Sequence, residues 1–428
     1  MQINTKMKIY KGFELIKYKP YNSRMYELYP YFTNDGSVGL FSPDADDIYH
    51  STYGALTEAY EKFIIPADIK NFLQKNKKIK VLDICFGIGY NSKSLINEFL
   101  NFAYSDPIGS DNIKYTNKID ADNIKSKLFI HAIDTDKNLA FLSPFFICNK
   151  SNLKHSLNKS MLFKNEKISK LLSNTCSPIF KLRKEVNVLL LNKLYEHIEK
   201  EQEEILKTKK YAPFFDKDMW HLYRFYKSKT SKTTPLRSLL AFLHNIYYRH
   251  ISTWNKMALN SLNLIDFDFK LSIEDARQAI LKDQNKYNFI FLDAFTPTKC
   301  PCLWTVDFFK LLYEHLEDDG LILTYSNSAL VRNAFLNAGF YVGKIYSESA
   351  KKFTGTVATK NKSLIKNELS EYDLGLIKTR AGIFYHDKDL TLDNEAIIAA
   401  HKIEVENSNL ISSSRFIKDY KKNYQHLS

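Results

Sequence analysis

A chain of 428 residues with 44% hydrophobic and 25% charged side chains is long enough to bury a large core as one elaborated domain or two, which excludes a fully disordered chain. No run of about 20 apolar residues is present to cross a bilayer and the N-terminus has no charged-then-apolar leader, so a soluble cytoplasmic protein without a membrane partner is expected. The formal charge of +13 is concentrated: residues 141–265 hold 22 Lys and Arg against 9 Asp and Glu, which leaves the remainder neutral and points to a polyanionic partner for that segment.

In chain order, residues 1–75 read as an N-terminal extension, with a hairpin predicted around Asp35-Gly36 and a loop followed by a helix over residues 46–63. The first half of an α/β domain occupies residues 76–140. It contains an apolar strand over 78–85, a turn over 87–90, a helix over 91–102 and a second strand over 128–135, with a polar surface excursion over 103–126. Residues 141–265 form a basic, mostly helical insertion. The alternation resumes over 266–360, with strands at 267–273, 288–294, 320–326, 341–346 and 355–359, and helices at 274–281, 303–316 and 329–338. The last two strands lie too close for a crossover helix, so an antiparallel hairpin ends an otherwise parallel, doubly wound sheet, as in class I methyltransferases of Rossmann-like fold. Residues 361–428 make a mixed polar C-terminal extension.

The stretch from Val81 to Gly89 places Asp83 inside a hydrophobic strand and Gly87 and Gly89 in the following turn. Glycine lets backbone approach a bound nucleoside, and the next helix presents free N–H groups to a carboxylate. The third glycine of the dinucleotide fingerprint is replaced by Ser92, which favours S-adenosylmethionine over NAD. Asp134, ending the second strand, suits ribose hydroxyls, and Asp275, after the third, suits adenine; solvated caps are the plainer alternative for both. The five cysteines, Cys85, Cys148, Cys176, Cys300 and Cys302, have no paired zinc-like spacing, so reduced thiols and no metal are expected.

The segment Phe291-Leu292-Asp293-Ala294-Phe295-Thr296-Pro297-Thr298-Lys299, with Pro301 and Trp304, resembles the fourth-strand motif L-D-G-F-A-P-A-K-N-P-x-x-W of the MnmC family of methyltransferases, departing at Ala294, Thr296, Thr298 and Cys300. The resemblance extends to Asp47-Ile48-Tyr49-His50-Ser51 with Gly54 and Glu58, to Gly87, Gly89 and Asn91, and to Leu323-Thr324-Tyr325-Ser326. It covers most of residues 35–360 outside the insertion. No second, FAD-binding fingerprint accompanies it, which resembles the single-domain members without the fused oxidase.

The resemblance implies methylation, with S-adenosylmethionine, of the exocyclic amine of 5-aminomethyluridine, often 2-thiolated, at the tRNA wobble position. Asp293 is then the candidate catalytic base, because a protonated amine has no lone pair for attack. Glu58 and Asn91 join Asp83, Gly87, Gly89, Asp134 and Asp275 as candidate cofactor contacts. Tyr49, Phe295 and Trp304 are candidate substrate contacts, with core packing the plainer reading of Trp304. Lys227, Lys229 and Lys232, interleaved with aromatic residues, are candidate tRNA contacts, set against a plain solvated helix surface. An aminopropyltransferase-like enzyme and a catalytically idle RNA-binding protein are the alternatives.

Overall fold

The computed structural model describes residues 27–42, 47–50, 53–76, 78–105, 126–148, 180–230 and 265–424. A small N-terminal sheet of β1 (Pro30–Phe32), β2 (Val38–Ser42) and β3 (Asp47–Ile48) is antiparallel throughout. The expected hairpin is there, and Asp35 is its knot: one carboxylate oxygen accepts the Thr33 hydroxyl and the Ser37 amide, the other the amide and hydroxyl of Thr57.

The principal sheet is built from β4 (Lys78–Ile84), β5 (Lys127–Asp134), β6 (Asp266–Ile273), β7 (Tyr287–Leu292), β8 (Leu316–Thr324), β9 (Tyr341–Ser347) and β10 (Lys352–Thr359). Its order is β6-β5-β4-β7-β8-β10-β9. All neighbours from β6 to β8 are parallel, and β10 runs antiparallel to both β8 and β9. The Rossmann-like class I architecture with an antiparallel terminal hairpin follows directly. The order reverses between β4 and β7, so the crevice for a ligand opens beyond their carboxyl ends.

The described helices are α1 (Ala55–Ala59), α2 (Ile69–Lys75), α3 (Tyr90–Ser105), α4 (Lys137–Leu142), α5 (Glu185–Leu194), α6 (Lys200–Lys207), α7 (Lys217–Thr230), α8 (Ala276–Leu281), α9 (Val306–His315), α10 (Ala329–Asn337), α11 (Glu371–Ile377), α12 (Asn394–Asn407) and α13 (Ser413–Tyr424). They cover both faces of the sheet, which is why its inner strands read as continuous apolar runs. Alternation along each strand divides the core: Ile79, Val81, Phe289 and Phe291 pack on the side of α3, and Leu82, Ile84, Ile290 and Leu292 on the side of α9 and α10.

Two boundaries move for local reasons. The helix expected from residue 303 begins at Val306, because Pro301 opens a 3-10 turn over Pro301–Trp304 and Thr305 then caps α9, its hydroxyl accepting from the Phe308 amide at 3.1 Å. Strand β8 starts four residues early, its polar start paired through Leu316 with Tyr287.

The described part of the insertion is helical, as expected, but it is not a detached lobe. Val186, Val188, Leu189, Leu190 and Leu191 of α5 are all buried in the same core as α3, and the Asn187 amide donates to the Phe146 carbonyl at 3.1 Å. The C-terminal extension is likewise docked. Asp373 pairs with Arg332 at 2.8 Å and Lys344 at 2.9 Å, and the fully buried Asp387 pairs with Arg277 at 2.5 Å. Substituting Asp387→Ala leaves the Arg277 guanidinium half-paired in a buried site. Chemical denaturation is expected to report a loss of about 3 kcal/mol, whereas a loss under about 1 kcal/mol would mean the extension does not depend on this pair.

Candidate cofactor and substrate pocket

The turn after β4 is contorted at three alternate positions. Cys85, Gly87 and Gly89 all have left-handed φ values, of 65°, 56° and 78°, and Cys85 bears a strain of order 1 kcal/mol or more as a non-glycine. Amides of Cys85 and Phe86 both donate to the Ile133 carbonyl, at 2.9 and 3.0 Å, so the chain is pulled toward β5 before it reverses. The Gly87 amide then donates to Asp134 Oδ2 at 2.6 Å.

A cavity of about 460 Å³ lies beyond this turn, between the carboxyl ends of β4, β5 and β7. Its walls include Tyr49, Glu58, Gly87, Asp134, Asp275, Asp293 and Phe295, so seven of the residues expected from the sequence meet in one place. A Cβ at Gly87 would project toward Tyr49, 3.6 Å away, across the approach to the turn. Asp134 uses its other oxygen on the Asp136 amide at 2.8 Å, and burial pushes its carboxyl up to about 6. Asp275 caps α8 and pairs with Arg277 at 2.7 Å; burial opposes ionisation there, but the Arg277 hydrogen bonds prevail and hold the carboxyl below its usual range.

Other expected contacts stand behind the wall. Asp83 is fully buried beneath the turn, where it accepts the Ser92 hydroxyl at 2.5 Å, and burial pushes its carboxyl up to about 7. It braces the first turn of α3, and Ser92, in place of a third glycine, is the brace's other half. Gly89 is a packing glycine: a Cβ there would collide with the Phe86 ring and meet the Ser143 hydroxyl at 3.0 Å. Asn91 donates through Nδ2 to Asp293 Oδ2 at 2.9 Å, so it positions the candidate base. Trp304 is completely buried and has no free face for a base; its indole N–H donates to the Phe295 carbonyl at 2.8 Å. The expectation of a Trp304 platform is corrected to support of Phe295, whose ring meets Tyr49 edge-on with centroids 5.1 Å apart.

Asp293 is half-buried in the cavity wall. Burial first, and then the negative charge of Glu58, push its carboxyl up to about 7, against the Asn91 hydrogen bond and the Lys62 charge. Glu58 is paired with Lys62 at 2.5 Å, one helical turn on, and Lys62 also lies over the Tyr325 ring at 5.4 Å. The Tyr325 hydroxyl donates to the Ala294 carbonyl at 2.9 Å.

Several residues in and around the wall carry weaker signals in the sequence. Lys62 was missed, although its i+4 spacing from Glu58 is a signal that could have found it. His50, with burial lowering its pKa to about 4, and Asn394, from the C-terminal extension, also line the cavity; no periodicity marks Asn394, since only tertiary docking brings it there. Lys227 is remote from the wall, with its ammonium 3.4 Å from the Ile198 carbonyl. The Lys229 side chain and Lys232 lie outside the described residues, as do most of residues 103–126.

Residues 237–361 match a family described as S-adenosyl-L-methionine-dependent methyltransferases. The cofactor is therefore S-adenosylmethionine, and the cavity fits it: a glycine turn that a side chain would fill, and a buried acidic strand end beside it. An uncharacterized protein of Methanocaldococcus jannaschii is 33% identical over 168 residues, 37% of this chain and 47% of that protein. The tRNA 5-methylaminomethyl-2-thiouridine biosynthesis bifunctional protein MnmC of Burkholderia vietnamiensis is 35% identical over 75 residues, 18% of this chain and 12% of that protein. The chain thus spans about half the length of the first relative and about a tenth of the second. MnmC2 from Aquifex aeolicus shares the fold, with a TM-score of 0.51 and 20% identity over 91% of this chain and 88% of that one. Among the described residues no helix is long and apolar enough to cross a membrane, and no group of His, Cys, Asp and Glu is arranged to hold a metal ion.

Removing the Asp134 carboxylate deprives the Gly87 amide of its acceptor in the cavity wall. Asp134→Ala is expected to weaken S-adenosylmethionine binding by about 2 kcal/mol, roughly thirtyfold, in calorimetry. Unchanged affinity in the folded variant would separate this carboxylate from the cofactor.

Proposed function

We propose that the methyltransferase domain methylates the exocyclic amine of 5-aminomethyluridine at the wobble position of tRNA, in the cytoplasm. The observation that carries this reading is Asp293: a carboxylate in the cavity wall, held by Asn91, with its pKa raised to about 7 beside a second carboxylate, Glu58. The name of the Burkholderia vietnamiensis relative, which refers to 5-methylaminomethyl-2-thiouridine biosynthesis, supports the choice of amine.

An alkylammonium has no lone pair, so the site must take a proton before the nitrogen can attack. Bound S-adenosylmethionine supplies an electrophilic methyl group. The paired negative charges of Asp293 and Glu58 draw the ammonium in, Asp293 accepts its proton, and Asn91 keeps the receiving oxygen aimed. A carboxyl poised near neutrality does this better than one near 4, because proton transfer to it is less uphill. Phe295, held by Trp304 through its carbonyl, and Tyr49 supply aromatic faces for the uracil ring. The basic insertion, docked beside α3, supplies the charge to hold tRNA phosphates.

Because Asp293 works as a base only when ionised, kcat/KM should rise with pH through about 7 in the wild type. Asp293→Asn cannot take the proton. It should lose turnover on the order of a hundredfold or more, retain S-adenosylmethionine affinity, and recover partly in alkaline buffer, where the amine is already neutral. Single-turnover assays at saturating cofactor on tRNA bearing 5-aminomethyluridine test this; near-normal turnover of the variant at neutral pH rules the base out.

Replacing Lys227, Lys229 and Lys232 with alanine together should weaken tRNA binding. It should also flatten the slope of log affinity against log salt, by about one for each phosphate no longer neutralised. Cofactor affinity should stay as it was. An identical salt slope would return this stretch to a solvated helix surface.

A further inference from the structure

Cys300 and Cys302 flank Pro301 in the cavity wall, half-buried, with their sulfurs 3.7 Å apart. They stand where the resembling motif has asparagine and a variable residue, packed against the core, and the proposed methyl transfer needs no thiol there. The pair shares a hydrogen bond between its sulfurs. That bond lowers the pKa of Cys302, with burial opposing and the Arg277 guanidinium assisting, while Cys300 retains its proton. Burial pushes the thiols of Cys85 and Cys148 up, so neither competes as a thiolate.

We propose that Cys300 and Cys302 are a redox-active dithiol, which a hydroperoxide converts to a disulfide and so lowers binding in the adjoining cavity. The Cys302 thiolate attacks one peroxide oxygen, breaking the O–O bond and releasing alkoxide or hydroxide, which takes up a proton. The resulting sulfenic acid is attacked by the Cys300 sulfur; the S–S bond forms, water leaves, and the two electrons lost by the sulfurs have reduced the peroxide.

An S–S bond of about 2.05 Å requires the sulfurs to close by more than 1 Å. Their backbone is tied at each side: the Cys300 amide to the Thr296 carbonyl at 3.0 Å, the Cys302 amide to Asn394 Oδ1 at 3.3 Å, and the Leu303 amide to the Cys300 carbonyl at 3.3 Å. Thr296, Leu303 and Asn394 are themselves wall residues, so closure of the pair reshapes the cavity.

The inference rests on the assignment of this cavity to S-adenosylmethionine, and its test separates the two. The full chain is treated with hydrogen peroxide, alkylated and digested, and the peptide spanning both cysteines is weighed, alongside calorimetry with S-adenosylmethionine. The expected peptide is two hydrogens lighter and unalkylated at both sulfurs, affinity falls about tenfold, and dithiothreitol restores both. In Cys302→Ser, peroxide should leave that variant's own affinity unchanged. Two free, alkylated cysteines after peroxide, a bridge to Cys85 instead, or a bridge with no change in affinity would overturn the proposal. Reduced wild-type protein that binds no S-adenosylmethionine would instead overturn the cavity's assignment, and with it the proposed effect on affinity.

Discussion

The hydrogen bond from the Gly87 amide to the Asp134 carboxylate ties the ends of β4 and β5 together, and the pocket is arranged around it. It forms only because the chain turns back through left-handed conformations at Cys85, Gly87 and Gly89, and it leaves the backbone bare where a ligand must come close. The strain at Cys85 is held in place from below. Asp83 and Ser92 lock the start of α3 to the strand, and the Ile133 carbonyl takes the amides of Cys85 and Phe86. Loosening any of these moves Asn91, and Asn91 carries the aim of Asp293. Cofactor site and candidate base are thus coupled through one helix N-terminus.

Three carboxyls around this turn, Asp83, Asp134 and Asp293, have pKa values raised by burial to between about 6 and 7. A folded pKa above the unfolded one means the native state binds more protons than the unfolded chain between about pH 4 and 7, so these groups cost stability as pH rises through that window. Their position is not explained by stability. Asp83 holds the turn, and Asp134 and Asp293 meet the cavity, where the role of base proposed for Asp293 would account for the lost stability.

The sheet was legible because its signals are local. Apolar runs at 78–85 and 288–294, and the short gap before 355–359, are sufficient for strand type and for the antiparallel ending. Gly87 was expected for a similar reason, since it sits in a turn where the residue type has a direct physical use, whereas Asp293 and Phe295 came from the resemblance of their motif; all three line the cavity. For Trp304 the plainer reading, core packing, holds over the candidate substrate contact, because burial of an indole is decided by what packs over it, here Phe309 and Tyr325 at edge-on distances of 6.5 and 6.1 Å. Gly89 and Gly87 look alike in sequence, and only the neighbouring Phe86 ring tells a packing glycine from a ligand-facing one. Asn394 and the Arg277–Asp387 pair join positions more than 90 residues apart and leave no trace in local pattern.

If this cavity delivers a methyl group to the exocyclic amine of a wobble uridine, the transfer itself can be followed. Incubating the purified chain with S-adenosylmethionine carrying a deuterated methyl group and tRNA bearing 5-aminomethyluridine, followed by nucleoside mass spectrometry, tests it most directly. One deuterated methyl on the exocyclic nitrogen, at the wobble position alone, is the predicted result. Label on a base or ribose atom elsewhere in the tRNA, or on no nucleoside while the cofactor binds, would contradict it.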